Sequence, residues 1–176
     1  MADEVRIAPT DALEPEELRR IRALLDAAFG TGDEQFQDED WRHALDGMHF
    51  VLEVDGALVS HASVVERRLE IGGRPFRTGY VEAVATQPDR QGEGFGTTVM
   101  RDATAYVRET FELGALGTGE QGFYERLGWT TWAGPSRRSS PTSAPSRTRS
   151  PWSRSASSGG AWSRTATAGS TTAGAT

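Results

Sequence analysis

Residues 80–97 read Tyr80-Val81-Glu82-Ala83-Val84-Ala85-Thr86-Gln87-Pro88-Asp89-Arg90-Gln91-Gly92-Glu93-Gly94-Phe95-Gly96-Thr97. An apolar strand runs into a glycine-rich turn, and Val99, Met100, Ala103, Tyr106 and Val107 then recur at helical spacing. Three glycines in five residues at a helix start let successive backbone N–H groups turn toward one anion. The positive end of the helix dipole favours that anion, and a pyrophosphate is the natural ligand. No Lys-Ser/Thr pair follows, so this is not a P-loop, and the G-x-G-x-x-G spacing of a dinucleotide site is missing. Taken alone, the hexapeptide Gln91–Gly96 could equally be a plain turn into a helix.

The elements on either side form an alternating pattern. Glu4–Ala8 alternates as a short strand. Pro15 and the acids Glu14, Glu16 and Glu17 open a helix whose apolar face is Leu18, Ile21, Leu24, Leu25 and Ala28, with Gly30 ending it. A second helix is expected from about Asp38 to Asp46. Strands follow at His49–Val54, Ala57–Ile71 and Pro75–Thr86, joined by the turn pairs Asp55-Gly56 and Gly72-Gly73. After the helix that begins near Gly96 come a short strand at Leu113–Leu116, a short helix at Gln121–Leu127 and the start of a strand at Thr130–Trp132. The expected fold class is α/β (α+β), with a mostly antiparallel first half.

Composition bounds the chemistry. The chain has 176 residues, the size of one domain, and no cysteine, which excludes disulfides, thiolate metal sites and a cysteine nucleophile. The net charge of −6 argues against a nucleic-acid surface. No apolar run is long enough for a membrane span and no signal-peptide pattern follows the N-terminus, so the cytoplasm is the default location. All 19 basic residues are Arg, with no Lys and no Asn, which points to GC-rich coding DNA.

The composition breaks at Pro135. Residues 135–176 hold twelve Ser, seven Thr, seven Ala and six Arg, but no acid and no Leu, Ile, Val, Met, Phe or Tyr. Residues 1–134 therefore carry all 25 acids against 13 Arg, a net −12, and the tail carries +6. With almost nothing to bury, the tail cannot offset about 1–2 kcal/mol of backbone entropy per residue, so disorder is expected. Two readings fit: a solvated Ser/Arg-rich tail, or a shift of reading frame near residue 135, since GC-rich codons read out of frame yield Arg, Ser, Pro, Ala, Thr and Gly. The expected domains are 1–134 and this 135–176 tail.

Context gives the glycine turn its meaning. Gln91, Gly94 and Gly96 form Q-x-x-G-x-G after Val81-x-x-Val84-Ala85, and Phe123-Tyr124-Glu125-Arg126-Leu127-Gly128-Trp129 follows some 25 residues later. In these pieces the chain resembles the GNAT family of acetyl-CoA-dependent N-acetyltransferases. Trp41-Arg42-His43, Gly47-Met48-His49, His61–Leu69, Gly79–Ala85 and Leu113–Leu116 make it similar, over about Val5 to Pro135, to the aminoglycoside 2′-N-acetyltransferases of mycobacteria and relatives. The GC-rich composition suits an actinobacterial origin.

The resemblance implies a mixed twisted central sheet with flanking helices, acetyl-CoA as cosubstrate and no metal. It implies coenzyme contacts at Val84, Ala85, Thr86, Gln91, Gly92, Glu93, Gly94, Phe95, Gly96 and Thr97. Amine acetylation needs a base, an oxyanion donor and an acid for the leaving thiolate. Glu82 is the candidate base, the Val84 N–H the oxyanion donor and Tyr124 the acid. Asp33, Glu82, Ala83 and Gly117 are the candidate aminoglycoside contacts, Gly117 standing where a mycobacterial member of the family has a substrate-contacting serine. Members of the family are often dimers. In the family a final strand pair completes the sheet, and its acids help hold the aminoglycoside. The tail has neither feature, so those strands are expected to be missing or replaced.

Two other outcomes stay open: acetylation of a polyamine, small amine or protein N-terminus, or an inactive coenzyme A-binding remnant. His43, His49 and His61 lack metal-ligand spacing, and structural roles are expected for His43 and His61. The acidic stretch Asp33–Asp40 would steer a polycation. Arg67 and Arg68 are expected on the solvent face or paired with acids, and Trp129 and Trp132 in the core or at an edge.

Overall fold

The computed structural model describes residues 4–30 and 36–132 and the backbone of 161–164. The chain begins with strand β1 (Val5–Pro9), a 3-10 turn (Thr10–Ala12), and helices α1 (Pro15–Phe29) and α2 (Asp38–Ala44). Strands β2 (Met48–Val54), β3 (Ala57–Ile71) and β4 (Arg74–Thr86) form an antiparallel meander. Both of its turns are two-residue pairs with positive φ throughout: Asp55 and Gly56 at 51° and 77°, Gly72 and Gly73 at 60° and 79°. Those are the backbone angles that match the right-handed twist of the strands they join.

A second 3-10 turn (Pro88–Arg90) leads into helix α3 (Phe95–Thr110), which returns the chain to β5 (Leu113–Leu116), parallel to β4. Helix α4 (Gln121–Glu125) and β6 (Thr130–Thr131) follow, and β7 (Ala161–Arg164) closes the set. The sheet order is β1-β2-β3-β4-β5-β7-β6. The expected strands at 57–71 and 113–116 have those bounds, while α4 stops short of Leu127 because Gly128 turns the chain at φ 86°.

Strand β7 departs from expectation. The tail composition pointed to no strand, yet four of its residues lie antiparallel between β5 and β6. A short ladder is held by backbone N–H and C=O groups, which the composition of the side chains does not remove. The final strand position is thus replaced rather than empty. The rest of the tail, on which the expectation of disorder falls, lies outside the described residues.

Alternation along the strands divides the core in two. On one face Val51, Leu58 and Ala85 pack with Ile21, Leu24 and Leu25 of α1 and with Phe36 ahead of α2. On the other, Phe50, Leu52, Val64 and Val81 pack with Val99, Met100, Ala103 and Val107 of α3, and with Tyr124 and Trp129. Helix α3 and Phe111 just after it lie close enough that two strand positions have no room for a side chain. A Cβ on Gly114 would come 2.6 Å from Val107, and one on Gly79 would come 2.6 Å from the Phe111 ring.

Candidate active site

The site is organised by what happens to β4 after Val81. Thr78 to Val81 pair with β5, but β5 ends at Leu116, so among the described residues Glu82 to Thr86 run on with β3 as their one strand neighbour. Along that remaining edge the register passes from Ser63–Glu82 to His61–Ala85. Ala83 and Val84 thus oppose the single residue Ala62, the two-against-one count of a β-bulge. Ala83 takes φ 52°, a left-handed conformation costly for a residue with a Cβ. Two hydrogen bonds hold the bulge from β3: Ser63 Oγ donates to the Glu82 carbonyl at 3.2 Å, and the His61 ring meets the Ala83 carbonyl at 2.8 Å.

Glu82 precedes the bulge and is mostly buried, its side chain 17 % exposed. The Arg67 guanidinium lies 3.4 Å from its Oε1 and donates to the His43 carbonyl at 3.0 Å. Arg67 therefore pairs with an acid, as expected, and the acid is the candidate base. An incoming ammonium would meet this carboxylate with a competing cation beside it.

The glycine turn fits a phosphate-bearing cosubstrate. Helices α1 and α2 begin with closed capping boxes, Glu14 with Glu17 and Gln37 with Asp40. Helix α3 begins at Gly94 with no side-chain cap and no acid in its first turn. The first N–H groups of a helix have no partner within it, so those of Phe95, Gly96 and Thr97 are left for an anion. Gly92 and Gly94 take φ 82° and 93°, which L side chains adopt only under strain, and a Cβ on Gly96 would come 3.1 Å from Thr86 Oγ1. Glu93 is the one anion in the turn, and Arg90 neutralises it through two bonds of 2.8 and 3.0 Å. That bond to Arg90 holds the Glu93 carboxyl below its ordinary range. Thr86 turns inward to Ser60 Oγ at 2.9 Å, while its carbonyl faces Gln91 Nε2 at 3.5 Å.

Tyr124 lies in α4 against Phe123, buried to 8 % exposure. Burial, reinforced by Glu120 and opposed by a hydrogen bond with Thr118, pushes its hydroxyl up to about 12. The phenol is therefore protonated across the neutral range and available as a donor. Gly117 follows β5, and the nearest atom to a Cβ there would be Tyr80 Oη at 3.5 Å, so the position has room for a side chain. Asp33 lies outside the described residues. Among the described residues no group of acids and histidines is placed to hold a metal, and no helix is long and apolar enough to cross a membrane.

Sequence reasoning missed two features. The left-handed Ala83 has no residue-type signal, since glycine or asparagine would mark such a position and alanine does not. His49 and His61 are twelve positions apart on different strands, and only the β2–β3 register brings their rings together.

A mixed sheet whose parallel strand pair opens beside a bulge, above an uncapped helix start, defines an N-acetyltransferase of the GNAT type. The chain belongs to that family: the acetyltransferase (GNAT) domain matches residues 10–132. Among particular proteins, it is 41 % identical to the aminoglycoside 2′-N-acetyltransferase of Mycolicibacterium fortuitum over 138 residues, covering 77 % of this chain and 69 % of that protein. In fold it is similar to a GNAT acetyltransferase of Brucella melitensis solved with acetyl-CoA. That match has a TM-score of 0.56 at 22 % identity, over 77 % of this chain and 92 % of that one. It also resembles a GCN5-related N-acetyltransferase of Kribbella flavida, with a TM-score of 0.58 at 19 % identity over 73 % of this chain. The chain spans only 33 % of that longer protein.

Proposed function

We propose that this chain transfers the acetyl group of acetyl-CoA to the 2′-amine of an aminoglycoside by direct attack, with residues 1–134 as the catalytic domain. The observation that carries the reading is the placement of Glu82 beside the bulge, where β4 loses β5. The likeness to the Mycolicibacterium fortuitum enzyme supports the substrate class. The net −12 of residues 1–134 favours a polycationic ligand over an anionic one.

Acetyl-CoA, when bound, supplies the thioester carbonyl and a thiolate leaving group. The amides at the start of α3 receive its pyrophosphate, and the free edge of Val84 to Thr86 receives its pantetheine arm. Glu82 takes a proton from the ammonium, directly or through one water. The neutral amine attacks the thioester carbon, and the new N–C bond gives a tetrahedral oxyanion whose collapse breaks the C–S bond, while the nitrogen's second proton leaves to replace the one Tyr124 gives. The Val84 N–H, turned by the bulge, stabilises the oxyanion, and Tyr124 gives its proton to the departing sulfur. Ala83 and Gly117 face the amine in this reading, and Asp33 is kept as a candidate contact from the sequence alone.

The test is thiol release from acetyl-CoA by the purified 176-residue chain, with gentamicin or tobramycin and with spermidine as control. Release that depends on the aminoglycoside and is lost in Glu82→Gln supports the proposal. Release with spermidine alone moves the substrate to general amines. The composition of 135–176 favours a second reading, a chain that binds coenzyme A and turns over nothing. Coenzyme A binding by calorimetry without any release would establish it.

A further inference from the structure

His49 and His61 are both fully buried, and nothing in the acetyl transfer uses them. Their rings nevertheless form part of a continuous chain of hydrogen bonds ending at the bulge. His61 Nδ1 lies 2.8 Å from the Ala83 carbonyl, His61 Nε2 lies 3.0 Å from His49 Nδ1, and His49 Nε2 lies 2.8 Å from Thr10 Oγ1. At the far end the Gly47 N–H reaches Thr10 Oγ1 at 3.3 Å, and the Gly47 carbonyl accepts from the Thr10 N–H at 3.1 Å.

The ends fix the direction. A carbonyl only accepts, so His61 carries its proton on Nδ1 and offers a bare Nε2. His49 must then donate from Nδ1, leaving its own Nε2 to accept the Thr10 hydroxyl proton. Only one arrangement of two neutral rings satisfies every atom, and it points from Gly47 toward Ala83. Adding a proton to His61 would place two N–H groups face to face in the core, whereas one added at His49 Nε2 would meet Thr10 Oγ1, whose hydroxyl could turn to the Gly47 carbonyl at 3.3 Å. Burial keeps both rings neutral, lowering His49 to about 4 and His61, which also feels His49, to about 3.

We propose that His61, locked by His49 and Thr10, is a positioning residue for acetyl transfer: it holds the Ala83 carbonyl against β3 and so keeps the left-handed bulge that aims the Val84 N–H at the oxyanion. The inference rests on the function proposed above for Val84. It also ties Gly47, after α2, to the backbone proposed to meet the thioester.

Three variants test it: His61→Leu removes the relay, His61→Asn keeps a donor at the Nδ1 position, and His49→Gln cuts the chain one step back. The expected result in His61→Leu is a kcat about 10- to 100-fold lower, because a misaimed donor acts on the transition state. KM for the amine and the dissociation constant for coenzyme A stay within about twofold, and His61→Asn recovers most of the loss. Nitrogen-15 NMR of the wild-type chain is the second readout. Both rings should show the neutral Nδ1–H tautomer from pH 8 to 5, and the Val84 amide resonance should move in His61→Leu and return in His61→Asn. A ring titrating near 6.5, an Nε2–H tautomer on His61, or an unmoved Val84 amide would overturn the proposal. If the wild-type chain transfers no acetyl group, the proposed function fails, and the tautomers and the Val84 amide decide the relay by themselves.

Discussion

The two halves of β4 share a strand and little else. Arg74 to Val81 pair in register with β3, and the last four of these residues also pair with β5. Gly79 there is pressed so closely against Phe111 that no side chain fits. Among the described residues Glu82 to Thr86 have β3 alone as a strand neighbour, with a register shift and a left-handed alanine. Backbone groups with partners on both sides contribute order and have nothing to offer a ligand. Where one side is released, N–H and C=O groups remain for a cosubstrate arm, and in the proposed reaction the bulge turns one N–H, that of Val84, toward the developing oxyanion. One strand thus anchors the fold at one end and forms the site at the other, with the division at Val81.

Changes in the released half should remove activity and leave the fold. In Glu82→Gln, kcat for aminoglycoside acetylation is expected to fall about 100- to 10,000-fold, with a urea midpoint close to wild type, since the Arg67 partner is itself part-exposed. Unfolding of the variant at ordinary temperature would instead make Glu82 a structural residue.

Acid should act through the histidines behind the bulge. In the unfolded chain both rings titrate near 6.5, while the folded protein holds them at about 4 and about 3. Below pH 6.5 the unfolded state therefore binds protons that the folded state refuses, and stability falls as pH falls. The loss is about 2 kcal/mol per ring between pH 6.5 and 5. Above pH 7 the pair contributes no slope. Urea midpoints at pH 7 and pH 5 check this, and equal stability at the two values would show that the rings are not held neutral.

A change in the anchored half should do the reverse. Gly79→Ala drives a Cβ into the Phe111 ring, with an expected loss of about 1–3 kcal/mol. Turnover per folded molecule should be unchanged. A fall in kcat that exceeds the unfolded fraction would show that the two halves are not separable.

The same division explains what could be read from residues alone. Alternation and the turn pairs Asp55-Gly56 and Gly72-Gly73 placed β2 to β5 within a residue or so, because paired strands with one buried face impose a period on their side chains. The start of α3 was legible because only glycine tolerates φ 82° and 93° at Gly92 and Gly94. Glu82 and Tyr124 were recognised through family motifs, and the structure places one beside the bulge and the other in α4. What stayed hidden is set by register. No residue type announces that Ala83 is left-handed, that His61 faces its carbonyl, or that Arg67 reaches Glu82, whose partner in the ladder is Ser63. The strand at Ala161–Arg164 was equally invisible, since it is recruited by the open backbone of β5 and β6.

The smallest expected effect isolates the bulge itself. Ala83 at φ 52° carries about 1 kcal/mol of strain that glycine would relieve. Glycine also has more freedom to lose on folding, which costs about 0.5–1 kcal/mol. Ala83→Gly should therefore leave stability within about 0.5 kcal/mol of wild type. Activity should respond differently. If alanine and the His61 bond together fix the direction of the Val84 N–H, a glycine at 83 loosens it, and kcat drops a few-fold with KM unchanged. In His61→Leu the same glycine should add little further, because the constraint it removes is already gone. Full additivity of the two losses would mean that residue 83 and His61 act on different parts of the reaction, and that the bulge keeps its shape without the histidine.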